Sequence, residues 1–492
     1  MRLVHLGLVA LLGAVVGVAL LERPPKLQDY DPARHAPYAA TWNQRLHLAY
    51  WEKWGSFERD ACQAMVDAFN ESQSDLFVHY VNASQVDRKA MLAIIGHDPP
   101  DVVGLWANNV RPFVAAGALL PLDDLMRSSG LDPERYTPQY LDIGRHEGHI
   151  YALPTTPASV ALFYNRDHFA AKAGALRAAG LDPERPPQTL EELDQYAEVL
   201  NEFAADGTPR LMGFLPTEPG WWNPLWGYYF GGTLFDAVTD QVTPDSPPNL
   251  EAVLWVKRYA EKYGRDRLLQ FRAGFGTFDS PNNAFIEGKV SMEMQGVWFP
   301  NFIRRHRPHL NFGVAPFPTA RGVPGPMSHL DTDVIAIPRG CRHPEEAWRF
   351  VQFAQQRGLE ILCRMQGKHM PIRTPPELFR QGHPNLELPV FEAVAASPHS
   401  FISPRLTVWQ EYQDELGRAF DHVWNYPVPE AELKGLSGAA FDARLRELCM
   451  PVIQETYTAV RKTIQHKRET EAAHNRARAE REAAAKAAAP RS

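Results

Sequence analysis

RLHLAYWEKWGSFERDACQAMVDAFNES, residues 45–72, decides the fold. Leu46, Leu48 and Tyr50 alternate, which predicts a strand ending at Trp51. From Phe57 the apolar residues fall a helical turn apart, at Phe57, Ala61, Met65 and Phe69, which predicts a helix ending near Asn70. The period thus switches from two to 3.6 across the short EKWG turn. The same alternation continues outward: LFVHYV from Leu76 is a strand, SQVDRKAMLAII a helix, PPDVVGLW a strand after a proline turn, and VRPFVAAG a helix closed by Gly117. Strands alternating with helices predict an α/β unit with a largely parallel sheet.

Beyond GHIYALP and VALFYNRDHF helices dominate. PPQTLEELDQYAEVLNEF has Thr189 as N-cap and Glu192 to complete a capping box, and NLEAVLWVKRYAEKYG is amphipathic. NAFIEG reads as a short helix stopped by Gly288, and leads into a strand on which Met292 and Met294 alternate. NFGVAPFP and DTDVIAIP are further strands and EEAWRFVQFAQQ a further helix, so a second α/β unit hands the chain back to the first. Residues 441–465 read as helix, and 466–492 as a charged, Ala-rich extension that can form a solvated helix but buries little.

The chain has 492 residues, 45% hydrophobic and 22% charged, enough for two or three domains with large cores. A net charge of −7 with no basic stripe in the body argues against a nucleic-acid partner. Arg2 followed by an apolar run from Leu6 to Leu21 reads as an export signal or a membrane anchor, with an uncleaved anchor favoured. Residues 22–44 lack hydrophobic periodicity and read as a tether. Cys62, Cys341, Cys363 and Cys449 are too scattered for a disulfide scaffold or a zinc site, and Cys341 to Cys363 is the first pairing to expect if export produces one. HExxH, GxSxG, Walker A and strand-linked GxGxxG motifs do not occur, so no catalytic residue, metal ligand or cofactor is assigned.

The indoles carry the functional signal. The strands RLHLAYW, PDVVGLW and VSMEMQGVW each deliver a Trp at or just past the C-terminal end: Trp51, Trp106 and Trp298. That edge of an open α/β sheet is where ligands bind. Trp54 and the group Trp221, Trp222 and Trp226 are available beside them. Pyranose C–H faces stack on indoles, while sugar hydroxyls need carboxylates, amides or Arg at the rim. Glu52, Asn108, Asn109, Asp331, Asp333 and Arg373 fall in or beside loops at predicted strand ends. Taken singly, each of these is more often a cap or a surface charge.

Read in order, residues 45–460 resemble the bacterial extracellular solute-binding proteins of ABC importers, in the sugar-binding group that includes maltose-binding protein. The opening strand and helix, PPDVVGLWANNVRPFVAAGALLPLDDL, GHIYALPTTPASVALFYNRDHF, and NAFIEGKVSMEMQGVWF followed by FGVAPFP and VIAIPRG are similar to that family's ordered motifs. The resemblance implies two α/β lobes joined by hinge crossings that close on a sugar. It implies a first lobe over 45–155, a second over 156–315, a return to the first over 316–375, and C-terminal helices over 376–465 packing mainly on the second. By position Trp298 would stack on the sugar, and Trp51 with Glu52 would present from the first lobe. The ligand-binding set expected is therefore Trp51, Glu52, Trp54, Trp106, Asn108, Trp221, Trp222, Trp298, Asp331, Asp333 and Arg373. The function implied is a monomeric, non-enzymatic receptor outside the cytoplasmic membrane that delivers a mono- or oligosaccharide to an ABC permease. An exported carbohydrate hydrolase, or a binder of a polyol or sugar phosphate, are the alternatives; a phosphate would call for more convergent cations than Arg111 and Arg373. The chain departs from the family twice. No Cys precedes Cys62 to carry a lipid, and His329, Leu330 and Asp331 stand where a Gly pair is usual.

Overall fold

A computed structural model describes residues 27 and 29–488. The apolar N-terminal run lies outside the described residues. Among the described residues no helix is long and apolar enough to cross a membrane. The longer strands, in chain order, are β1 (Leu46–Glu52), β2 (Leu76–Asn82), β3 (Val102–Trp106), β4 (Leu153–Asn165), β5 (Pro209–Phe214), β6 (Val290–Gly296), β7 (Phe312–Ala315) and β8 (His329–Ala336). The chain forms two compact units. The first runs to Ala158 and takes in Asp331–Pro384; the second comprises Ser159–Leu330 and the chain from Asn385. The chain changes unit within β4, within β8 and after Pro384. The second of these changes comes at Leu330, later than the expected 315, because β8 begins in the second unit by pairing His329 and Leu330 with Phe401 and Ile402.

In the first unit β1 lies between β2 and β3, parallel to both. β8 closes this sheet antiparallel to β3, with Asp333 opposite Trp106. β1 is buried on both faces from Leu48 onward, as a central parallel strand must be, rather than on the single face its alternation predicts. Helices α1 (Ser56–Ser72), α2 (Val86–Ile95) and α3 (Ala107–Ala115) follow β1, β2 and β3. Ala61, Met65, Val66 and Phe69 form the buried stripe of α1. Just past α3, Gly117 adopts φ 67°, a left-handed turn open to glycine without penalty.

In the second unit β4 is flanked antiparallel by β6 and β7, and β6 runs parallel to β5. The helix Leu190–Leu200 is capped by Thr189, whose Oγ1 accepts from Glu192 N at 3.2 Å. Its capping box is only half made, because the Glu192 carboxylate accepts from Gln188 N and Arg185 instead. NAFIEG is a succession of turns, not a helix. Asn283 Oδ1 accepts from Phe285 N and Ile286 N, and Ala284 O then accepts from both Lys289 and Val290, which ends the turn before a helix can propagate.

Two segments are more ordered than their sequences suggest. The tether expected over 22–44 folds from Asp31 onward: Asp31 caps the helix Pro32–His35, and Trp42 packs on His35, His47 and Phe77 at ring distances of 4.5, 4.6 and 4.7 Å. The C-terminal helix is one element, Gly438–Ala488. Leu445, Cys449, Ile453, Tyr457, Val460 and Ile464 make its buried stripe. Past Gln465, Arg468 still bonds Asp240 O at 2.7 Å and Glu471 accepts from Thr407 at 2.5 Å, so the start of the charged extension is docked. None of the four cysteines is in a disulfide. Cys341 points at Asp101 and Cys363 at Thr155 O, so the expected pair is not formed.

Candidate functional site

At the C-terminal edge of β1 and β3 the first unit gathers Glu52, Lys53, Trp54 and Trp106. The antiparallel β8 brings Asp331 and Asp333 to the same edge. Lys53 is the hub: its ammonium lies 2.9 Å from Glu52 Oε1, 3.0 Å from Asp333 Oδ1 and 3.3 Å from Leu105 O. Asp333 Oδ2 also accepts from Thr156 Oγ1 at 2.6 Å and from Trp54 Nε1 at 3.2 Å, with Lys368 Nζ 3.9 Å away. Tyr50 Oη donates to Glu52 Oε2 at 2.5 Å. A Cβ on Gly104 would lie 1.7 Å from that same oxygen, so glycine there is what admits the carboxylate.

The indoles sit over this charge cluster. Lys53 Nζ is 5.1 Å from the Trp54 ring centre and 5.3 Å from that of Trp106, and the two rings meet edge to face at 6.4 Å. Trp106 remains 39% exposed. Burial alone would raise the Asp333 carboxyl, but Lys53 and Lys368 hold it below the ordinary range. Burial alone would lower the Lys53 ammonium, but Asp333 and Glu52 keep it above its usual value. Asp331 is different: half-buried, it accepts from the neighbouring Thr332 N at 2.7 Å, and burial pushes its carboxyl up to about 7.

The second unit presents a more aromatic corner at the end of β6. The Trp298 indole lies flat over Gly296, where a Cβ would come within 2.2 Å of its ring. Trp298 Nε1 has no acceptor among the described residues. Phe278 stands edge-on to both Trp298, at 6.4 Å, and Trp221, at 5.2 Å, and Trp221 is 44% exposed. Within β6 itself Gln295 Nε2 donates to Glu293 Oε1 at 2.7 Å, and burial pushes the Glu293 carboxyl up to about 8.

Several expected ligand residues are placed elsewhere. Trp51 is 0% exposed, because a central parallel strand buries both faces, and it is a core side chain. Trp222 is 6% exposed and spends its N–H on Met294 O at 2.9 Å, and Trp226 is likewise buried. Arg373 binds Tyr136 O and Glu134, tying down the 133–136 turn rather than joining the carboxylates. Asn108 is exposed on the first turn of α3, next to Asn109, whose Oδ1 accepts from Trp106 N. Glu52 is buried and fully engaged. Lys53, Lys368, Thr156 and Phe278 were not anticipated. Only Lys53 left a sequence signal, a lone cation after an apolar strand between a Glu and a Trp.

Residues 57–358 match the family described as bacterial extracellular solute-binding protein. The chain belongs to that family. Its fold is the α/β, two-lobe type of these solute-binding proteins. The maltotriose-binding protein of Pyrococcus abyssi is 22% identical over 310 residues, which is 62% of this chain and 62% of that protein. This chain therefore matches somewhat less than two thirds of that relative's length. The solved structure of CpMnBP1 with mannotriose bound is similar with a TM-score of 0.66 and 25% identity, over 84% of this chain and 100% of that one. UgpB from Mycobacterium tuberculosis, in complex with glycerophosphocholine, is similar with a TM-score of 0.60 and 20% identity, over 84% of this chain and 98% of that one.

Proposed function

We propose that this solute-binding protein is a monomeric, non-catalytic receptor that captures a mono- or oligosaccharide outside the cytoplasmic membrane and delivers it to the permease of an ABC importer. The observation that carries the reading is the first unit's corner, where the exposed Trp106 and the half-buried Trp54 adjoin carboxylates already fixed in place. An indole beside a fixed acceptor suits a ring with apolar faces and hydroxyl edges. Trp298 and Trp221 on the second unit supply further aromatic surface of the same kind. The maltotriose and mannotriose named for similar proteins support a sugar. Contact with the membrane through the N-terminal apolar segment belongs to the same proposal.

A second reading, a phosphate-bearing polyol such as a glycerophosphodiester, draws on Lys53 and Lys368 and on the ligand of the mycobacterial relative. The sugar is favoured because Glu52 and Asp333 already neutralise both ammoniums, which leaves no surplus positive charge for a phosphate. The test is calorimetry of the protein against maltotriose, mannotriose, glycerol 3-phosphate and glycerophosphocholine. Saturable binding of a sugar, recovered uncleaved, is expected; binding of the phosphates alone would select the second reading, and cleaved sugar would select a hydrolase.

A further inference from the structure

We propose that Asp331 couples ligand capture to proton release: a ligand hydroxyl donates to its carboxylate, so the first unit binds in step with loss of that proton. The proposal rests on the sugar-receptor reading above. Its basis is a charge count in a closed space. Three carboxyl groups, Glu52, Asp331 and Asp333, share two ammoniums, Lys53 and Lys368. Glu52 and Asp333 take the close contacts to Lys53, at 2.9 and 3.0 Å, and the Lys368 contact goes to Asp333. Among the described residues Asp331 keeps only a backbone N–H. The surplus acid is therefore the one that remains half-open.

The groups facing Asp331 come from several elements. Lys53 extends from the end of β1, Asp333 shares its own strand, and Lys368 projects from the loop after the helix Leu359–Met365. Tyr140 faces it from the helix Pro138–Ile143, with His369 Nε2 3.3 Å from the Tyr140 hydroxyl and Cys363 beside that ring. Burial raises the Tyr140 phenol well above its ordinary value, pushes the Cys363 thiol up to about 12 and lowers the His369 imidazole to about 4. These three stay neutral between pH 6 and 8, while Lys53 and Asp333 stay charged. Asp331, at about 7, changes charge inside that window.

A hydrogen bond to an ionised carboxylate is roughly twice as strong as one to a neutral acid. A hydroxyl donor therefore favours the ionised form. With the carboxyl near 7, the ionised fraction is about 0.9 at pH 8 and about 0.1 at pH 6, so apparent affinity falls toward pH 6 by up to about tenfold, the limit set by a protonated site that does not bind.

The experiment is calorimetric titration of the full chain with maltotriose and mannotriose at pH 6 and pH 8, in two buffers of different ionisation enthalpy. Weaker binding at pH 6, by up to about tenfold, with up to about one proton released per sugar there, is expected. Asp331→Asn should fold, bind more weakly, and lose both the pH dependence and the proton release. Affinity that is flat with pH, rises toward pH 6, or keeps its pH dependence in Asp331→Asn overturns the proposal. Binding of neither sugar at either pH overturns the sugar-receptor reading itself, and this proposal with it.

Discussion

Lys53 in the first unit and Trp298 in the second each lie just past the end of a strand, yet opposite means fix them. Lys53 is clamped by two carboxylates and roofed by two indoles, so its place is set by charge and hydrogen bonds. Trp298 makes no hydrogen bond through its indole among the described residues and is set by contact with the bare backbone of Gly296. The lesson concerns cost. A charge-built corner is stable only as a complete set, because any member left alone is a buried ion, whereas a shape-built corner can lose its ring without leaving an unpaired charge.

The sharpest way to break this contrast is Lys53→Met. It strands Glu52 and Asp333 in a buried space, with only Lys368 nearby at 3.9 Å from one of them. Removing one partner of a buried ion pair costs about 3–5 kcal/mol, and a urea titration should show a loss of that order. A loss below about 1 kcal/mol would mean that the corner is solvated and the pairing incidental.

Gly296→Ala probes the other side. The added Cβ collides with the indole at 2.2 Å, so the ring must swing away. Sugar affinity should fall by about 1.5–3 kcal/mol, the worth of burying one large apolar side chain, while stability falls by less than in Lys53→Met. Calorimetry beside a melting curve separates the two. Unchanged affinity would remove Trp298 from the ligand surface.

The same contrast explains what the sequence could and could not reveal. The α/β class and the order of elements were legible because period changes such as the one across EKWG are local. Trp298 and Trp106 were legible as strand-end indoles. Trp51 misled because a residue on a central parallel strand and one at a cleft share the same strand-end address, and only the neighbours on both sides of β1 distinguish them. Asp333 was found as a loop-side acid, but its partners Lys53, Thr156 and Lys368 come from distant parts of the chain, joined through the antiparallel return of β8. The turn Asn283–Gly288 failed for a local reason: Asn283 offers the backbone a competing acceptor that no helical periodicity reveals.

Acidity separates the units further. The Glu293 carboxyl, ordinarily near 4.5, is pushed up to about 8 by burial. Between those values the unfolded chain has lost a proton that the folded chain retains, so stability falls as pH rises, by up to about 1.4 kcal/mol per pH unit. Glu293→Gln should flatten that part of the urea-midpoint curve between pH 6 and 8. Asp333 has the opposite sign: held low by its lysines, it contributes stability that is lost only as pH falls below its ordinary value of 3.8. If Glu293→Gln leaves the slope unaltered, the Glu293–Gln295 pair is hydrated and not sealed from water.

The smallest effect belongs to the residue that the sequence placed with the ligand and the structure places elsewhere. Arg373 pairs with Glu134 at 3.3 Å, with both side chains more than half exposed, and its Nε bonds Tyr136 O at 3.1 Å. Its backbone N–H, bound to Arg135 O, survives truncation. An exposed pair of this kind contributes about 0–1 kcal/mol. Arg373→Ala should therefore shift the urea midpoint only slightly and leave sugar affinity within about twofold, below half a kcal/mol on the affinity scale. A loss of tenfold or more would put Arg373 back among the ligand contacts and would mean that the first unit's charges do not balance among Glu52, Lys53, Asp331, Asp333 and Lys368 alone.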